Sequence, residues 1–298
     1  EVALAVAQSL RVKLSAATRE RMHQAPTTSV EALADYSQAR AFMERPDVKG
    51  NLDRAIELFQ SAIQKDSHFA QAHGGLGEAY WRRYQQTKAD EWSIKARDAI
   101  NEALRLEPSD AAVRYSLATI NRGCGRPDAA IEELRKVIAT SPNMDEAHRL
   151  LGELLIETGH SPEGYASLQR AIALRPASWT NHHPLGIAHY RAGHYADAVV
   201  SFKRVIELQP DSAWGYQILG TAYHAMDDYP NAVANYEKAI ALGNAKAYSN
   251  LGLLYYSRGD LAEAERCYKE ALKLEPNSLK QHALGDIYAR MGRAADAR

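Results

Sequence analysis

The sequence predicts an all-α fold, a solenoid in which about eight helix pairs stack one after another. Three observations lead to this prediction. Prolines recur at a constant interval, at positions 108, 142, 176 and 210. A Leu-Gly pair recurs in most units, and apolar residues farther along follow each other at steps of four and three, which mark one face of a helix. Such a unit buries only part of its apolar surface alone, so neighbouring units must stack to share a core.

The segment 1–31 is predicted to form a helical cap and linker before the repeats. Val2, Val6 and Leu10 are spaced by four positions, which predicts a helix over residues 1–13. The run from Pro26 to Ser29 is typical of a break between elements.

Residues 32–298 are predicted to form the repeat array, with the last repeat truncated. The helix pairs are expected to begin near Ala32, Ala70, Ala111, Asp145, Trp179, Ala213, Ala245 and Ser278. Longer turns between the two helices of a pair are expected at residues 46–51 and 85–90, and a shortened junction at Asn244. Changes of loop length are tolerated because their entropic cost grows slowly.

A small residue in the first helix of each pair is predicted to let the second helix approach closely. In the fifth pair this residue is Gly186, and Ala198 and Phe202 share one face of the following helix. A glycine inside a helix costs about 1 kcal/mol relative to alanine, so packing must outweigh propensity here.

The start of the fifth pair carries two further local signals. Asn181 is expected to be the N-cap, which would place Pro184 in the first turn, where its missing N–H costs little. Pro230 is expected to mark the start of a later second helix.

These residues resemble the tetratricopeptide repeat family: a small residue where the first helix (helix A) contacts the second (helix B), large apolar residues beside it, and a closing proline. The resemblance spans Ala32 to Arg298. It implies a right-handed superhelix whose concave surface is lined by the A helices and serves as a peptide-binding groove. The implied groove positions hold Trp81, Tyr115, Arg149, His183, Ile187, Tyr190, Trp214, Gln217, Thr221, His224, Asn250 and Tyr256. Rings supply contact area and polar groups fix the register of a bound peptide.

The leader, meaning the segment before the repeats together with the start of the first repeat, is similar to a junction found in large multidomain bacterial signalling proteins. The similarity lies at positions 6–10 and 36–40. This resemblance implies a segment of a longer polypeptide, an arm that recruits partners or senses signals for an enzyme such as a serine/threonine kinase. The first residue, Glu1 rather than Met, is consistent with that expectation. The cellular compartment is left open.

The charge and the apolar pattern argue against two classes of partner. The chain has 36 basic and 37 acidic side chains, so no broad positive field is expected and nucleic acid is not a predicted partner. The longest apolar runs are far shorter than the roughly 20 residues that a membrane helix needs, so no direct membrane insertion is predicted. Two cysteines, Cys124 and Cys267, predict free thiols rather than a disulfide framework.

Histidines 182, 183, 189 and 194 cluster in the fifth repeat, which raises the question of zinc or copper binding. His182 and His189 fall at repeat positions that normally pack between helices, and no carboxylate or cysteine is expected to complete a ligand set. Neither a metal nor a cofactor is therefore predicted. No nucleophile elbow, phosphate-binding glycine loop or His-Glu-x-x-His helix occurs, so no catalytic residue is predicted and this segment is not expected to be an enzyme.

The carboxy-terminal repeat suggests an alternative function. The pattern stops after one turn of the eighth helix B, so Leu284, Ile287 and Tyr288 are expected to lack their full cover. Because solenoid ends need polar caps, self-association through this repeat is one alternative. The leading prediction is a non-catalytic scaffold or adaptor that binds a peptide or partner protein in its concave groove.

Overall fold

The computed structural model describes residues 27–44 and 50–293, and every regular element in this part of the chain is an α-helix. The bounds are α1 Val30–Glu44, α2 Asn51–Lys65, α3 Ala70–Thr87, α4 Asp90–Leu106, α5 Ala111–Gly123, α6 Pro127–Thr140, α7 Asp145–Glu157, α8 Ser161–Leu174, α9 Trp179–Arg191, α10 Tyr195–Leu208, α11 Ala213–Ala225, α12 Tyr229–Ala241, α13 Lys246–Arg258, α14 Leu261–Leu274 and α15 Ser278–Arg290. The predicted all-α solenoid of helix pairs is confirmed. The capping helix predicted for residues 1–13 lies outside the described residues.

The chain divides into two compact units, Glu1–Pro142 and Asn143–Arg298. In the first unit the most extensive packing lies within the pairs α1–α2, α3–α4 and α5–α6. In the second unit it lies within α7–α8, α9–α10, α11–α12 and α13–α14, and α14 also packs on α15. Within each unit, successive pairs pack less extensively on each other. The odd-numbered helices are therefore the A helices of the repeats, and the even-numbered helices are the B helices.

Glycines set the distance between the two helices of a pair, as the sequence predicted. A Cβ atom added to Gly186 would lie 2.3 Å from Cε1 of Phe202, whose side chain is fully buried. The same position one repeat later repeats the contact, because a Cβ on Gly220 would lie 2.8 Å from Cδ1 of Tyr236. Real atoms do not approach so closely, so an aromatic ring of helix B occupies the space of a missing side chain.

The turns between helices A and B have a recurring left-handed residue. Gly193 has φ +79°, a conformation that costs glycine nothing but strains other residues. Asp227 stands at the same place one repeat later with φ +58°. Pro230 follows within the first turn of α12, as expected.

One expectation about the connections between helices changes. The chain does not form a long turn over residues 85–90, because α3 continues to Thr87 and is capped by Lys88, a left-handed residue with φ +58°. The extra residues therefore lengthen a helix instead of a loop. The other expected long turn, at residues 46–51, lies largely outside the described residues. At the shortened junction, Nδ2 of Asn244 donates a hydrogen bond of 2.7 Å to Oε1 of Gln217 on the preceding A helix.

Asn181 is not an N-cap, so that prediction is wrong. Helix α9 begins at Trp179, and Asn181 is fully buried inside it. Its Nδ2 donates to Oδ2 of Asp145 on α7 at 2.9 Å and to the Ala171 carbonyl on α8 at 3.0 Å. Asp145 is 3% exposed and also pairs with Arg175 at 3.0 Å. The amide thus joins successive repeats, which a local cap would not do.

Pro184 consequently lies inside α9 rather than in its first turn. A proline there removes one backbone hydrogen bond of the helix. The contacts of Asn181 in the preceding turn hold that part of the helix against α7 and α8.

The carboxy-terminal repeat is better covered than the sequence suggested. Ile287 is fully buried and packs with Ala264 and Tyr268 of α14, and Tyr288 is 8% exposed. The guanidinium of Arg293 lies 4.7 Å from the centre of the Tyr288 ring. A cation and the preceding helix B thus supply the cover that a further helix was expected to give.

Both cysteines are free thiols, with Cys124 half-buried and Cys267 buried. Burial raises the pKa of the Cys267 thiol to about 11.

None of the helices in residues 27–44 and 50–293 combines the length and the apolar character needed to cross a bilayer.

The Gly186–Phe202 contact predicts the effect of a small substitution. Gly186→Ala is expected to lower the free energy of unfolding by about 1–3 kcal/mol, because overpacking outweighs the gain of about 1 kcal/mol in helix propensity. Urea unfolding followed by circular dichroism measures the change. Adding Phe202→Leu is expected to recover part of the loss. A Gly186→Ala protein that is as stable as the parent would contradict the packing argument.

The buried amide predicts a second stability change. Asn181→Ala is expected to lower the free energy of unfolding by about 1–3 kcal/mol, because it leaves buried acceptors without their donor. Asn231→Ala is the matched control, since Nδ2 of Asn231 also donates to an aspartate, Asp228, but at the surface. The control should change stability by less than about 0.5 kcal/mol. Equal effects of the two variants in the same unfolding assay would show that burial of the Asn181 contact does not matter.

Candidate functional site

A pocket of about 420 Å³ lies on the A helices of the second unit. Three successive A helices, α9, α11 and α13, line it together with Tyr229 and Tyr236 of the B helix α12. Four of the predicted groove residues line it: Tyr190, Thr221, His224 and Asn250. Leu253, which is 51% exposed, adds an apolar patch to the rim. Four of the residues that the resemblance implied for the groove, from three successive repeats, therefore share one cavity.

The polar groups of this pocket are oriented by their neighbours. The Thr221 hydroxyl donates to the Gln217 carbonyl at 3.0 Å and accepts from the Tyr236 hydroxyl at 3.3 Å. Burial raises the pKa of Tyr236 to about 12, so this phenol stays protonated and can donate. The Asp227 carboxylate accepts from the Tyr229 hydroxyl at 2.8 Å. Hydrogen bonds thus orient the hydroxyls of three lining residues, Thr221, Tyr236 and Tyr229.

The rings of the pocket are uncharged near neutral pH. Burial lowers the pKa of His224, which favours its neutral imidazole, and burial raises the pKa of the Tyr190 phenol. The Tyr190 ring lies 5.3 Å from the Tyr195 ring, which supports it from the next helix. The cavity therefore offers aromatic surface together with neutral donors and acceptors.

The first unit has a second pocket, of about 320 Å³, on α3 and α5. Trp81 and Tyr115, two of the residues predicted for the groove, line it together with Arg82. Trp81 is only 7% exposed, however, and stacks on Tyr84 at 5.0 Å between ring centres. The indole ring therefore serves mainly the core of this unit. Nη1 of Arg82 donates to the Met43 carbonyl at 3.1 Å, which fixes the guanidinium at the pocket wall.

Six predicted groove residues lie outside both pockets: Arg149, His183, Ile187, Trp214, Gln217 and Tyr256. Nη1 of Arg149 bonds to Glu153 at 2.8 Å, and Oε1 of Gln217 accepts from Asn244. These two polar side chains already have structural partners.

The other four of these residues make ring or core contacts. His183 meets the Trp214 ring edge-on at 4.4 Å. Ile187 packs against the buried core of the second unit. The Arg290 guanidinium lies 4.6 Å from the Tyr256 ring. Trp214 is 38% exposed and keeps part of its ring available.

Sequence reasoning missed the pocket residues that lie at the carboxyl ends of the A helices. Asp227, in the turn after α11, and Ser257, near the end of α13, line the pocket of the second unit. The left-handed backbone at Asp227 turns the chain toward the next helix. An aspartate where neighbouring repeats have glycine was the available signal.

The histidine cluster also differs from the expectation. Ligand atoms of His189, His194 and Asp197 all lie within 4.8 Å of one another, so the prediction that no carboxylate completes a ligand set is wrong. The carboxylate comes from the first turn of α10, beyond the turn that joins it to α9. His182 takes no part, because its Nε2 lies 2.9 Å from the Pro176 carbonyl oxygen.

Comparison with protein families gives one consistent result. Five family models, each described as tetratricopeptide repeat, match this chain. The matched residues are 38–89, 95–145, 122–185, 185–212, 215–242 and 245–278. The matches cover most of the sequence.

Individual relatives are more distant. Superkiller protein 3 of Schizosaccharomyces pombe is 35% identical over 91 residues, which are 30% of this chain but 6% of that protein. A structure of pilF from Pseudomonas aeruginosa has a TM-score of 0.60 at 22% identity and covers 76% of this chain and 98% of its own. The human IFIT1 dimer with PPP-AAAA has a TM-score of 0.59 at 16% identity and covers 83% of this chain and 66% of its own. At these identities the solved structures share the fold alone.

The half-buried imidazole of His183 predicts a pH dependence of stability. Burial lowers its pKa in the folded protein below the value of about 6.5 in the unfolded chain. As the pH falls through about 6.5, the unfolded chain therefore binds more protons, and the free energy of unfolding decreases. His183→Gln is expected to reduce this loss between about pH 7.5 and pH 5.5. Urea unfolding at both pH values measures it.

The adjacent histidine gives the control for this prediction. His182→Gln removes a ring that contacts the Pro176 carbonyl at the surface. It is expected to leave the pH dependence close to that of the parent. A larger change from His182→Gln than from His183→Gln would contradict the assignment of the effect to burial of His183.

Proposed function

Because the chain belongs to the tetratricopeptide repeat family, we propose that it is a non-catalytic scaffold that binds a peptide segment of a partner protein in the pocket on α9, α11 and α13. Proteins of this family generally mediate protein–protein interactions, and the fold is typically non-catalytic. The proposal adds a place and a kind of ligand to that general role.

One observation supports the proposal most directly: three consecutive A helices contribute to one cavity. Its volume of about 420 Å³ accommodates one or two side chains of a peptide, within the range of roughly 300–1,000 Å³ found for ligand pockets. A peptide that enters it would contact three repeats at once, so its binding energy depends on the stacked fold.

The chemistry of the cavity favours an uncharged or weakly polar peptide segment. Tyr190 and Leu253 offer apolar surface, and rings supply large contact areas at low cost in conformational entropy. Asn250 and Thr221 provide an amide and a hydroxyl. An amide can pair with a peptide N–H and C=O, which fixes the register of an extended chain. The anchor side chain of the ligand is therefore proposed to be apolar.

We also propose that nucleic acid is not a ligand of this protein. The formal net charge of −1 supplies no general attraction for phosphates. IFIT1, which shares the fold, was solved with PPP-AAAA, so the fold itself does not decide the class of ligand. The pocket of the second unit contains the carboxylate of Asp227 and no lysine or arginine, which disfavours a polyanion there.

Self-association through the carboxy-terminal repeat is the second candidate. Leu274 and Leu279 are 57% and 76% exposed and lie on either side of the junction between α14 and α15. Two exposed leucines so close together are suited to contact with another copy. A dimer mass in light scattering that Leu279→Lys converts to a monomer would support this candidate. The resemblance of the leader also implied a role as the recruiting arm of a larger bacterial signalling enzyme, and that role stays a prediction.

The peptide pocket can be tested with a matched pair of charge substitutions. Leu253→Glu places a carboxylate on the rim of the pocket, and Val200→Glu places one on α10, outside the pocket. Leu253 and Val200 are both exposed, at 51% and 68%, so both variants should fold. A peptide selected from a displayed library on the parent protein serves as the ligand, and fluorescence anisotropy measures its Kd.

Leu253→Glu is expected to weaken binding by about tenfold or more, which corresponds to about 1.4 kcal/mol, because an apolar anchor would meet a charge. Val200→Glu should change the Kd by less than about twofold, as surface substitutions away from a site do. Selected peptides that bind both variants as tightly as the parent would place the binding surface elsewhere. Failure to select any peptide would count against the peptide proposal as a whole.

A further inference from the structure

The turn between α9 and α10 brings together three side chains that suit a metal ion. His189 lies in the last turn of α9, His194 directly precedes α10, and Asp197 lies in its first turn. One ligand atom from each lies within 4.8 Å of the other two. His189 is half-buried, whereas His194 and Asp197 are exposed. The proposed peptide pocket uses none of the three.

The imidazole of His189 occupies a position that the neighbouring repeats fill with apolar or aromatic side chains. Each of these residues follows the repeat glycine by three positions. They are Leu155, Tyr223 and Tyr255. Leu155 is 1% exposed and Tyr223 is 9% exposed, so the position belongs to the core. His189 is thus the titratable imidazole at a position where these neighbouring repeats carry leucine or tyrosine.

The polar atoms of His189 supply a second observation. Its Nδ1 is buried and has no hydrogen-bond partner among the residues that the structure describes. An unsatisfied buried polar group costs about 1–3 kcal/mol, and such groups call for an explanation. The ring also packs against Tyr165 of α8 at 5.0 Å between ring centres, which holds it beside the turn. The side chain is therefore positioned by its surroundings while this nitrogen makes no hydrogen bond.

The backbone fixes the arrangement of the three residues. The His194 N–H donates to the His189 carbonyl at 2.9 Å, and Gly193 between them has φ +79°. Asp197 follows within the first turn of α10, whose start is set by the same turn. A ligand set confined to positions 189–197 needs no rearrangement of distant parts of the chain.

We propose that His189, His194 and Asp197 form a binding site for a divalent first-row transition metal of the Zn²⁺ class. Two imidazoles and a carboxylate are ligands that Zn²⁺ accepts, and three protein ligands leave one coordination position for water. Ligand atoms around a tetrahedral Zn²⁺ lie roughly 3.4 Å apart, since each bond is about 2.1 Å long. The exposed side chains of His194 and Asp197 close the remaining distance by rotating about their χ angles.

The preceding repeat provides a natural control. His160 stands one repeat before His194, directly before α8, and Glu163 stands one repeat before Asp197. Leu155 replaces the third ligand, His189, in that repeat. The two turns thus differ in whether a half-buried histidine completes the set.

The experiment is calorimetric titration of the metal-free protein with Zn²⁺ alone. The parent is expected to bind one Zn²⁺ at this site. His194→Ala, Asp197→Asn and His189→Tyr are each expected to weaken that binding by about tenfold or more. His189→Tyr introduces the ring that later repeats carry at this position, so its fold should be retained. His160→Ala is the control and should leave the binding unchanged.

A second measurement uses stability and spectroscopy. Zn²⁺ should raise the Tm of the parent and of His160→Ala, because a ligand that binds the folded state stabilises it by mass action. It should raise the Tm of His194→Ala much less. Bound Co²⁺ should give the visible absorption of a metal with nitrogen and oxygen ligands in the parent but not in His194→Ala. Zn²⁺ binding that is absent from the parent, or equally strong in parent and His194→Ala, would overturn the proposal.

Discussion

The close contact between the two helices of each pair is the constraint on which the rest of the molecule depends. In the pairs whose helix A carries a glycine at the contact, helix B places a large side chain there, such as Phe202 or Tyr236. This contact sets the spacing of each pair and thereby the surface that the pair offers to the next one. The A helices can then supply Tyr190, Thr221 and Asn250 to one cavity because their pairs are built on the same spacing.

Polar contacts between successive pairs add direction to this apolar packing. Asn181 reaches Asp145 on the preceding A helix, and Asn244, just before α13, reaches Gln217 on the A helix before it. Apolar surfaces tolerate sliding, whereas a buried amide that must meet its acceptor admits one register. The polar contacts therefore specify how pairs follow each other, while glycines and rings specify each pair.

The sequence predicted most of the fold because residues that recur once per repeat mark helix contacts that also recur once per repeat. The glycine at position 186 and the evenly spaced prolines are such signals, and the structure shows the packing they imply. The burial of Asn181 was missed because its partner, Asp145, lies in the preceding repeat. The cover of Tyr288 by Arg293 and the approach of Asp197 to His189 were missed for a related reason, since both depend on how a turn directs the chain. The predicted groove residues that share a cavity lie on three successive A helices. The predicted residues that serve packing instead cannot be told from them in one sequence, because both kinds stand at the same repeat positions.

The pocket on α9, α11 and α13 has a consequence for the dynamics of the second unit. A solenoid opens from its ends or at weak junctions, and each repeat is stabilised by its nearest neighbours alone. A ligand that contacts the repeats of α9, α11 and α13 at once stabilises both junctions between them. Occupancy of the pocket would then slow amide hydrogen exchange throughout those repeats, including at backbone groups that the ligand never contacts. The exchange rates of the second unit would therefore report whether the pocket is occupied.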